Sequence, residues 1–101
     1  MAYNTYAEAE MNFEWDAGKA QTNLEKHKVR FEVAIKVFLD PGRTQVVDDR
    51  YDYGEERVVT YGRIDGRLYV VVFTRDETSQ TIRMISARKA NQRERRRHGD
   101  S

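Results

Sequence analysis

The sequence predicts a single α+β domain in which two N-terminal helices pack on one face of an antiparallel β-sheet. Before Pro41, apolar residues recur at steps of three and four, which is typical of helices. After Pro41, short apolar runs alternate with turn residues, which is typical of strands. The length of 101 residues fits one domain. We expect that domain to span residues 13–98, preceded by a loose polar extension of residues 1–12.

The helical half begins after a short strand, "NFEWD". Asp16 suits the N-cap of a first helix, because its carboxylate can accept the free amides of the first turn. The stretch "RFEVAIKVFLDPG" predicts a second, amphipathic helix that ends at Pro41 and Gly42. Its apolar stripe consists of Phe31, Ala34, Ile35, Phe38 and Leu39.

The strand half contains "TQVVD", "RVVTYGRI", "RLYVVVFT" and "TIRMISA". Asp65 and Gly66 suit a two-residue hairpin with positive φ, and Gly54 suits the turn in "DDRYDYGEE". The run "LYVVVFT" is apolar on both faces and is predicted to be central. If side chains alternate strictly between the two faces along the last strand, Arg83 shares a face with Ile85 and Ala87.

Charge is distributed unevenly along the chain. Residues 1–82 hold eleven Lys/Arg against fifteen Asp/Glu, whereas residues 83–98 hold seven basic residues and one acidic residue. A terminus of this kind is expected to meet a polyanion or an acidic partner, the alternative being a solvated tail. The chain has no cysteine, no apolar run long enough to span a bilayer and no visible signal peptide, so a cytoplasmic protein is expected.

The basic terminus itself has a helix signal. Asn91 and Glu94 have the spacing of a capping box, so a short helix is predicted from about Gln92. That helix would be polar all round. We therefore expect it to be mobile in the free protein, because it lacks an apolar stripe with which to pack.

Several stretches, taken together, resemble the BrnT family of toxins from type II toxin–antitoxin modules. They are "FEWD", the "EKH…F" spacing, "GEER" and "ISARKA…RERR", within residues 13–98. The resemblance implies a RelE-like fold and a ribonuclease that inhibits translation. It also implies a BrnA-type antitoxin with a ribbon-helix-helix domain, a heterotetramer with that antitoxin, and operator DNA bound only through it. Lys28 stands where the family usually has glycine, and His98 where it commonly has tyrosine.

RNA cleavage without a metal needs a base for the 2′-hydroxyl, an acid for the leaving oxygen and cations for the phosphate. The arginines near the last strand suit the phosphate, and His27, His98 and Glu56 are the acid–base candidates. The simpler alternatives are that His27 caps a helix end and that Glu56 pairs with Arg57. The assigned catalytic residues are Arg83, Arg88, Arg93, His98, Glu56 and His27; the assigned RNA-binding residues are Lys89, Arg95, Arg96 and Arg97.

No cofactor or metal is expected, because the two histidines are far apart in sequence and "DDRYD" lacks the remainder of a calcium loop. Two other functions fit the same sequence. One is a nucleic-acid-binding module without catalysis, and the other is an interaction protein whose basic terminus docks an acidic partner. Cleavage of RNA without added metal distinguishes the enzyme from both.

Overall fold

The computed structural model describes residues 2–5, 11–48, 56–76 and 78–99. It shows a mixed α+β domain with one six-stranded sheet in the order β1-β2-β6-β5-β4-β3. The strands are β1 Ala2–Thr5, β2 Asn12–Trp15, β3 Thr44–Asp48, β4 Arg57–Ile64, β5 Arg67–Asp76 and β6 Thr81–Lys89. The helices are α1 Ala17–His27, α2 Phe31–Ala34, which continues as a 3₁₀ turn Ile35–Leu39, and α3 Gln92–Arg97.

The sheet differs from the expected antiparallel one at a single pair. β2 and β6 run parallel, with Phe13 opposite Ile82, whereas every other neighbouring pair is antiparallel. A parallel pair needs a long crossover, and here that crossover contains α1, α2 and strands β3 to β5. β5 is a central strand, as predicted, and its hairpin with β4 turns at Asp65 and Gly66, which both have positive φ.

The N-terminal segment also differs from the expected loose extension. Residues 2–5 form edge strand β1, which pairs with β2 so that Ala2 lies opposite Trp15. Residues 6–10 lie outside the described residues, as does the predicted turn at Gly54. The start of the domain at residue 13 stays a prediction.

Helix α1 has the predicted start. The Asp16 carboxylate accepts hydrogen bonds from the amides of Gly18 and Lys19, and these bonds hold the pKa of Asp16 below its usual value. The helix ends where Lys28 adopts the left-handed conformation, with φ of 62°. This position favours glycine, since a side chain there meets its own backbone.

The second predicted helix is wrong in its length and type. Only Phe31–Ala34 is α-helical, and the chain then tightens into the 3₁₀ turn. The tighter winding buries Val37, which the predicted stripe omitted, and leaves Leu39 47% exposed. Val37 lies so close to Gly62 of β4 that a Cβ there would be 2.8 Å from a Val37 methyl carbon. The domain therefore has one full N-terminal helix, α1, and one short mixed turn on the sheet.

The main hydrophobic core lies between these helices and one face of the sheet. Phe38 is at its centre, with ring centroids 5.1 Å from those of both Phe13 and Phe73. Trp15 packs edge-on against Phe31 at 5.7 Å. We call this side of the sheet the helix face and the other side the open face. In the part of the chain that the structure describes, no helix is long and apolar enough to cross a membrane.

Candidate functional site on the open face

A β-bulge in β6 decides which side chains reach the open face. Val72 of β5 pairs with Ser86, but the next residue, Phe73, pairs with Met84, so Ile85 is an extra residue. Before the bulge, odd-numbered Arg83 faces the open side; after it, even-numbered Arg88 does. The expected strict alternation is therefore wrong, because Ala87 is buried with Ile82 and Met84 on the helix face.

Asn23 of α1 holds β6 just after this bulge. Its side-chain amide donates to the Ala87 carbonyl at 2.8 Å and accepts from the Ala87 amide at 3.0 Å. It also donates to the Val29 carbonyl at 3.0 Å, and its side chain is buried. In the register of the sheet, β2 pairs with β6 only as far as Arg83. Asn23 thus takes the place of a strand neighbour and fixes the backbone next to Arg88.

Helix α3 packs on the open face at the end of β6. Ala90 is buried with Leu68 and Val70, and its amide donates to the Leu68 carbonyl at 3.0 Å. The predicted capping box is present, with Asn91 and Glu94 each accepting the other's backbone amide at 2.9 Å. The helix has no apolar stripe, as predicted, and a polar contact anchors it instead; its mobility in the free protein stays a prediction. An apolar periodicity search does not detect such an anchor.

The anchor is an ion pair between Glu94 and Arg88. Both guanidinium terminal nitrogens donate to the two carboxylate oxygens at 2.8 Å, a bidentate arrangement. The Arg88 guanidinium lowers the pKa of Glu94 to about 2, from a usual value of 4.5, with help from the Asn91 amide. The hydrogen bonds to Glu94 in turn raise the pKa of Arg88. Arg88 is therefore held in one orientation, which a free surface arginine would not be.

His98 is the residue that caps the C-terminal end of α3. Its ring stacks on Tyr61 of β4, with centroids 4.5 Å apart and planes inclined by 24°. Its backbone carbonyl accepts a hydrogen bond of 2.9 Å from a terminal nitrogen of Arg63. The Tyr61 side chain lines the same part of the open face as Arg88. A titratable imidazole, a phenol and a fixed cation thus occupy one part of the open face.

Tyr61 and Arg88 line a groove of about 530 Å³, which we call the α3 groove. Its floor is made mainly of valines. One wall is formed by Glu94 and Arg97 of α3 together with Arg88 of β6. The opposite wall is edge strand β3, where Val46 is 60% exposed and Val47 46% exposed. The other floor and rim residues are Asp48, Val59, Tyr61, Val70, Val72 and Ser86.

The predicted catalytic residues do not all meet at this groove. Arg83 lies on the open face near the far end of the sheet, where its guanidinium pairs with Glu14 at 3.1 Å. Arg83 is opposite Thr74 and Arg88 is opposite Val70, so four residues of β5, roughly 13 Å, separate the two positions along the sheet. Glu56 is exposed and immediately precedes Arg57. Arg57 pairs across the sheet with Thr74, which in turn pairs with Arg83, so Glu56 lies near the Arg83 end of the sheet. His27 lies elsewhere again, in a cleft between α1 and β6 with Lys19 and Lys26.

The remaining basic residues surround α3. Arg93, Arg96 and Arg97 are exposed on the helix, and Lys89 is exposed at the end of β6. Arg95, predicted to bind RNA, is half-buried and donates to the Ala90 carbonyl at 3.3 Å. Of the predicted RNA-binding residues, Arg97 is the one that lines the α3 groove.

Sequence reasoning missed Asn23, Tyr61, Arg63 and the role of Glu94 beyond its cap. Glu94 had a signal, since it is the single acid among seven bases in residues 83–98. Among the described residues, no three His, Asp or Glu side chains come together as a metal site would require. Asp49 and Asp52 of "DDRYD" lie outside the described residues.

The small α+β domain thus carries an open groove with a fixed arginine, next to a short helix whose exposed arginines suit contact with a polyanion. Residues 15–94 match the family model described as the ribonuclease toxin BrnT of type II toxin–antitoxin systems, and the chain belongs to that family. Membership confirms the resemblance in sequence and implies a ribonuclease toxin with an RNA substrate and an antitoxin partner. A comparison with curated proteins gave no match.

Proposed function

We propose that this toxin is a metal-independent endoribonuclease of RelE-like type whose site is the α3 groove. The observation that carries the proposal is that Arg88, Arg97 and Tyr61 line one open groove while His98 stacks on Tyr61 beside it. In the proposed reaction, the 2′-hydroxyl attacks the adjacent phosphorus and the bond to the 5′-oxygen breaks. The products are a 2′,3′-cyclic phosphate and a 5′-hydroxyl, and no metal ion takes part.

Arg88 supports the phosphate in this proposal. Glu94 occupies the edge of the guanidinium formed by its two terminal nitrogens. The edge that includes Nε makes no hydrogen bond to the part of the chain that the structure describes. That edge is left for a phosphate oxygen pair, whose charge grows in the transition state. Arg97 adds a second cation from the groove wall.

His98 is the proposed proton carrier. Its imidazole ring lies against Tyr61, and imidazole both gives and takes protons near neutral pH. The hydrogen bond from Arg63 to its carbonyl fixes the backbone on which the ring is mounted. Such a carrier typically contributes ~10²–10⁴-fold to rate. The position of His98 is where the family commonly has tyrosine.

The other predicted residues receive supporting roles. Arg83 shares the open face and suits a flanking phosphate rather than the scissile one, because the sheet separates it from Arg88 by roughly 13 Å. Lys89, Arg93, Arg95 and Arg96 surround α3 and add attraction for the RNA backbone. Glu56 and His27 lie apart from the groove, so we assign no chemistry to them.

Cleavage of a purified RNA in EDTA tests the proposal. We expect the protein to cut it and to leave a cyclic phosphate at each new 3′ end, as end-group analysis by mass spectrometry would show. Activity that requires Mg²⁺ or Mn²⁺ would refute the metal-free reaction. Binding without cleavage, with or without metal, would favour the nucleic-acid-binding module instead.

We also propose that the antitoxin is of the BrnA type, with a ribbon-helix-helix domain, and that operator DNA is bound only through it. Ribbon-helix-helix domains dimerise, so the assembly should contain two toxins and two antitoxins. Light scattering on the co-expressed pair measures this directly. A stable one-to-one complex would contradict the heterotetramer.

A further inference from the structure

Glu94 is an unusual residue for a surface that is otherwise built to attract a polyanion. It is the one acid in residues 83–98, and its carboxylate lies directly against the groove that we assign to RNA. On charge alone, it should weaken RNA binding. Its side chain is nonetheless only 11% exposed and accepts three hydrogen bonds, two from Arg88 and one from the Asn91 amide.

The geometry of these bonds gives Glu94 two connected effects. The two hydrogen bonds from Arg88 to Glu94 remove rotational freedom from the guanidinium, so that its Nε edge points in one direction. The bond from the Asn91 amide ties the same carboxylate to the start of α3, which carries Arg97 and ends at His98. A single carboxylate thus sets the distance between the fixed arginine and the residues of the helix. Effective catalysis depends on such distances, and an error of about 1 Å can cost 10²-fold in rate.

We infer that Glu94 is a positioning residue for RNA cleavage, acting through Arg88 and the register of α3 rather than by touching the substrate. The inference rests on the proposed function. It goes beyond that function by assigning a rate contribution to a residue whose charge opposes substrate binding.

The primary variant is Glu94→Gln. It keeps the side-chain shape and an oxygen that can accept from the Asn91 amide, but it loses the bidentate ion pair with Arg88. The matched control is Asn91→Ala, which removes the side-chain cap of the Glu94 amide and weakens α3 without touching the Arg88 contacts. Glu25→Gln, on the exposed side of α1, controls for loss of a carboxylate. Circular dichroism gives the folded fraction of each variant at the assay temperature.

For Glu94→Gln we expect kcat to fall by about 10²-fold while KM for RNA stays the same or decreases, since a negative charge has been removed. Asn91→Ala and Glu25→Gln should keep kcat within about threefold after correction for folded fraction. A purely structural role for Glu94 would instead lower the activity of the Glu94 and Asn91 variants in proportion to their folded fractions. That result would overturn the inference.

A double-mutant cycle with Arg88→Gln adds a second readout. Arg88→Gln alone leaves the Glu94 carboxylate without its cation, whereas the double variant places two neutral amides together and leaves no unpaired buried charge. In this background Glu94→Gln should cause no further loss of kcat, since it acts through Arg88. Additive losses would overturn the inference, and if Arg88→Gln does not fold, the Glu94–Asn91 comparison decides alone. If the wild-type protein fails to cleave RNA, the proposed function fails and the inference falls with it. If the wild type cleaves and Glu94→Gln is fully active, only the inference fails.

Discussion

The ion pair between Arg88 and Glu94 predicts a specific loss of stability in acid. Its carboxylate is nearly buried, and both of its oxygens are bound by the guanidinium. The pKa of Glu94 is about 2 in the folded protein and returns to its usual value of 4.5 when the chain unfolds. A group whose pKa is depressed by folding stabilises the fold above its unfolded value, and this contribution disappears as pH falls towards the folded value.

The size of the contribution follows from the shift. The decrease from 4.5 to about 2 corresponds to about 3 kcal/mol at roughly 1.36 kcal/mol for each pH unit. The Arg88 side chain is 38% exposed, so solvent screens the pair and we reduce the expected value to about 1–2 kcal/mol. By pH 3, more than half of it should be lost. Below about pH 2 the pair should contribute nothing.

Urea unfolding of the wild type and of Glu94→Gln isolates this one carboxylate from the many others in the chain. The difference in unfolding free energy should be about 1–2 kcal/mol at pH 7 and should shrink by more than half at pH 3. Glu25→Gln, which removes an exposed carboxylate, should show no such convergence. A difference between wild type and Glu94→Gln that stays constant from pH 7 to pH 2.5 would refute the reasoning.

Three further substitutions test how the site is supported, each by thermal unfolding. Asn23→Ala removes both side-chain hydrogen bonds to the buried Ala87 backbone and should lower the free energy of unfolding by about 2–3 kcal/mol. A decrease below about 0.5 kcal/mol would contradict a stabilising role for these two bonds. Gly62→Ala places a methyl group against Val37 and should cost about 1–3 kcal/mol; an unchanged melting temperature would show that the 3₁₀ turn yields. Lys28→Gly relieves a left-handed side chain and should stabilise by about 1 kcal/mol; destabilisation would mean that its contact with the Glu25 carbonyl matters more.

The parts of the fold that local chemistry controls could be predicted. Asp16 caps α1, the Asp65–Gly66 turn joins β4 to β5, and the Asn91–Glu94 box starts α3. Each of these depends on residues within a few positions of one another. Strands β3 and β4 were predicted with their bounds, and β5 and β6 to within two residues of their ends, because alternation and turn residues are visible in a short window.

The features that depend on distant contacts could not be predicted. Asn23 reaches Ala87 across 64 positions, and nothing in either neighbourhood marks the pair. The bulge at Ile85 changes the phase of β6 only because β5 is its partner there. The 3₁₀ turn forms where Val37 meets Gly62 of another strand. As a result, the sequence grouped Arg83 with Arg88, whereas the structure separates them along the open face.

The central claim is that the ribonuclease site lies in the α3 groove, and the two histidines of this chain provide a matched test of it. His98 stacks on Tyr61 at the groove, whereas His27 lines a cleft on the other side of β6. The measurement is the single-turnover cleavage rate of one RNA in EDTA for His98→Ala and His27→Ala, with folding confirmed by circular dichroism. We expect a loss of at least about 10²-fold for His98→Ala and less than about threefold for His27→Ala. A dead His27→Ala beside a fully active His98→Ala would contradict it and would move the site to the α1 cleft.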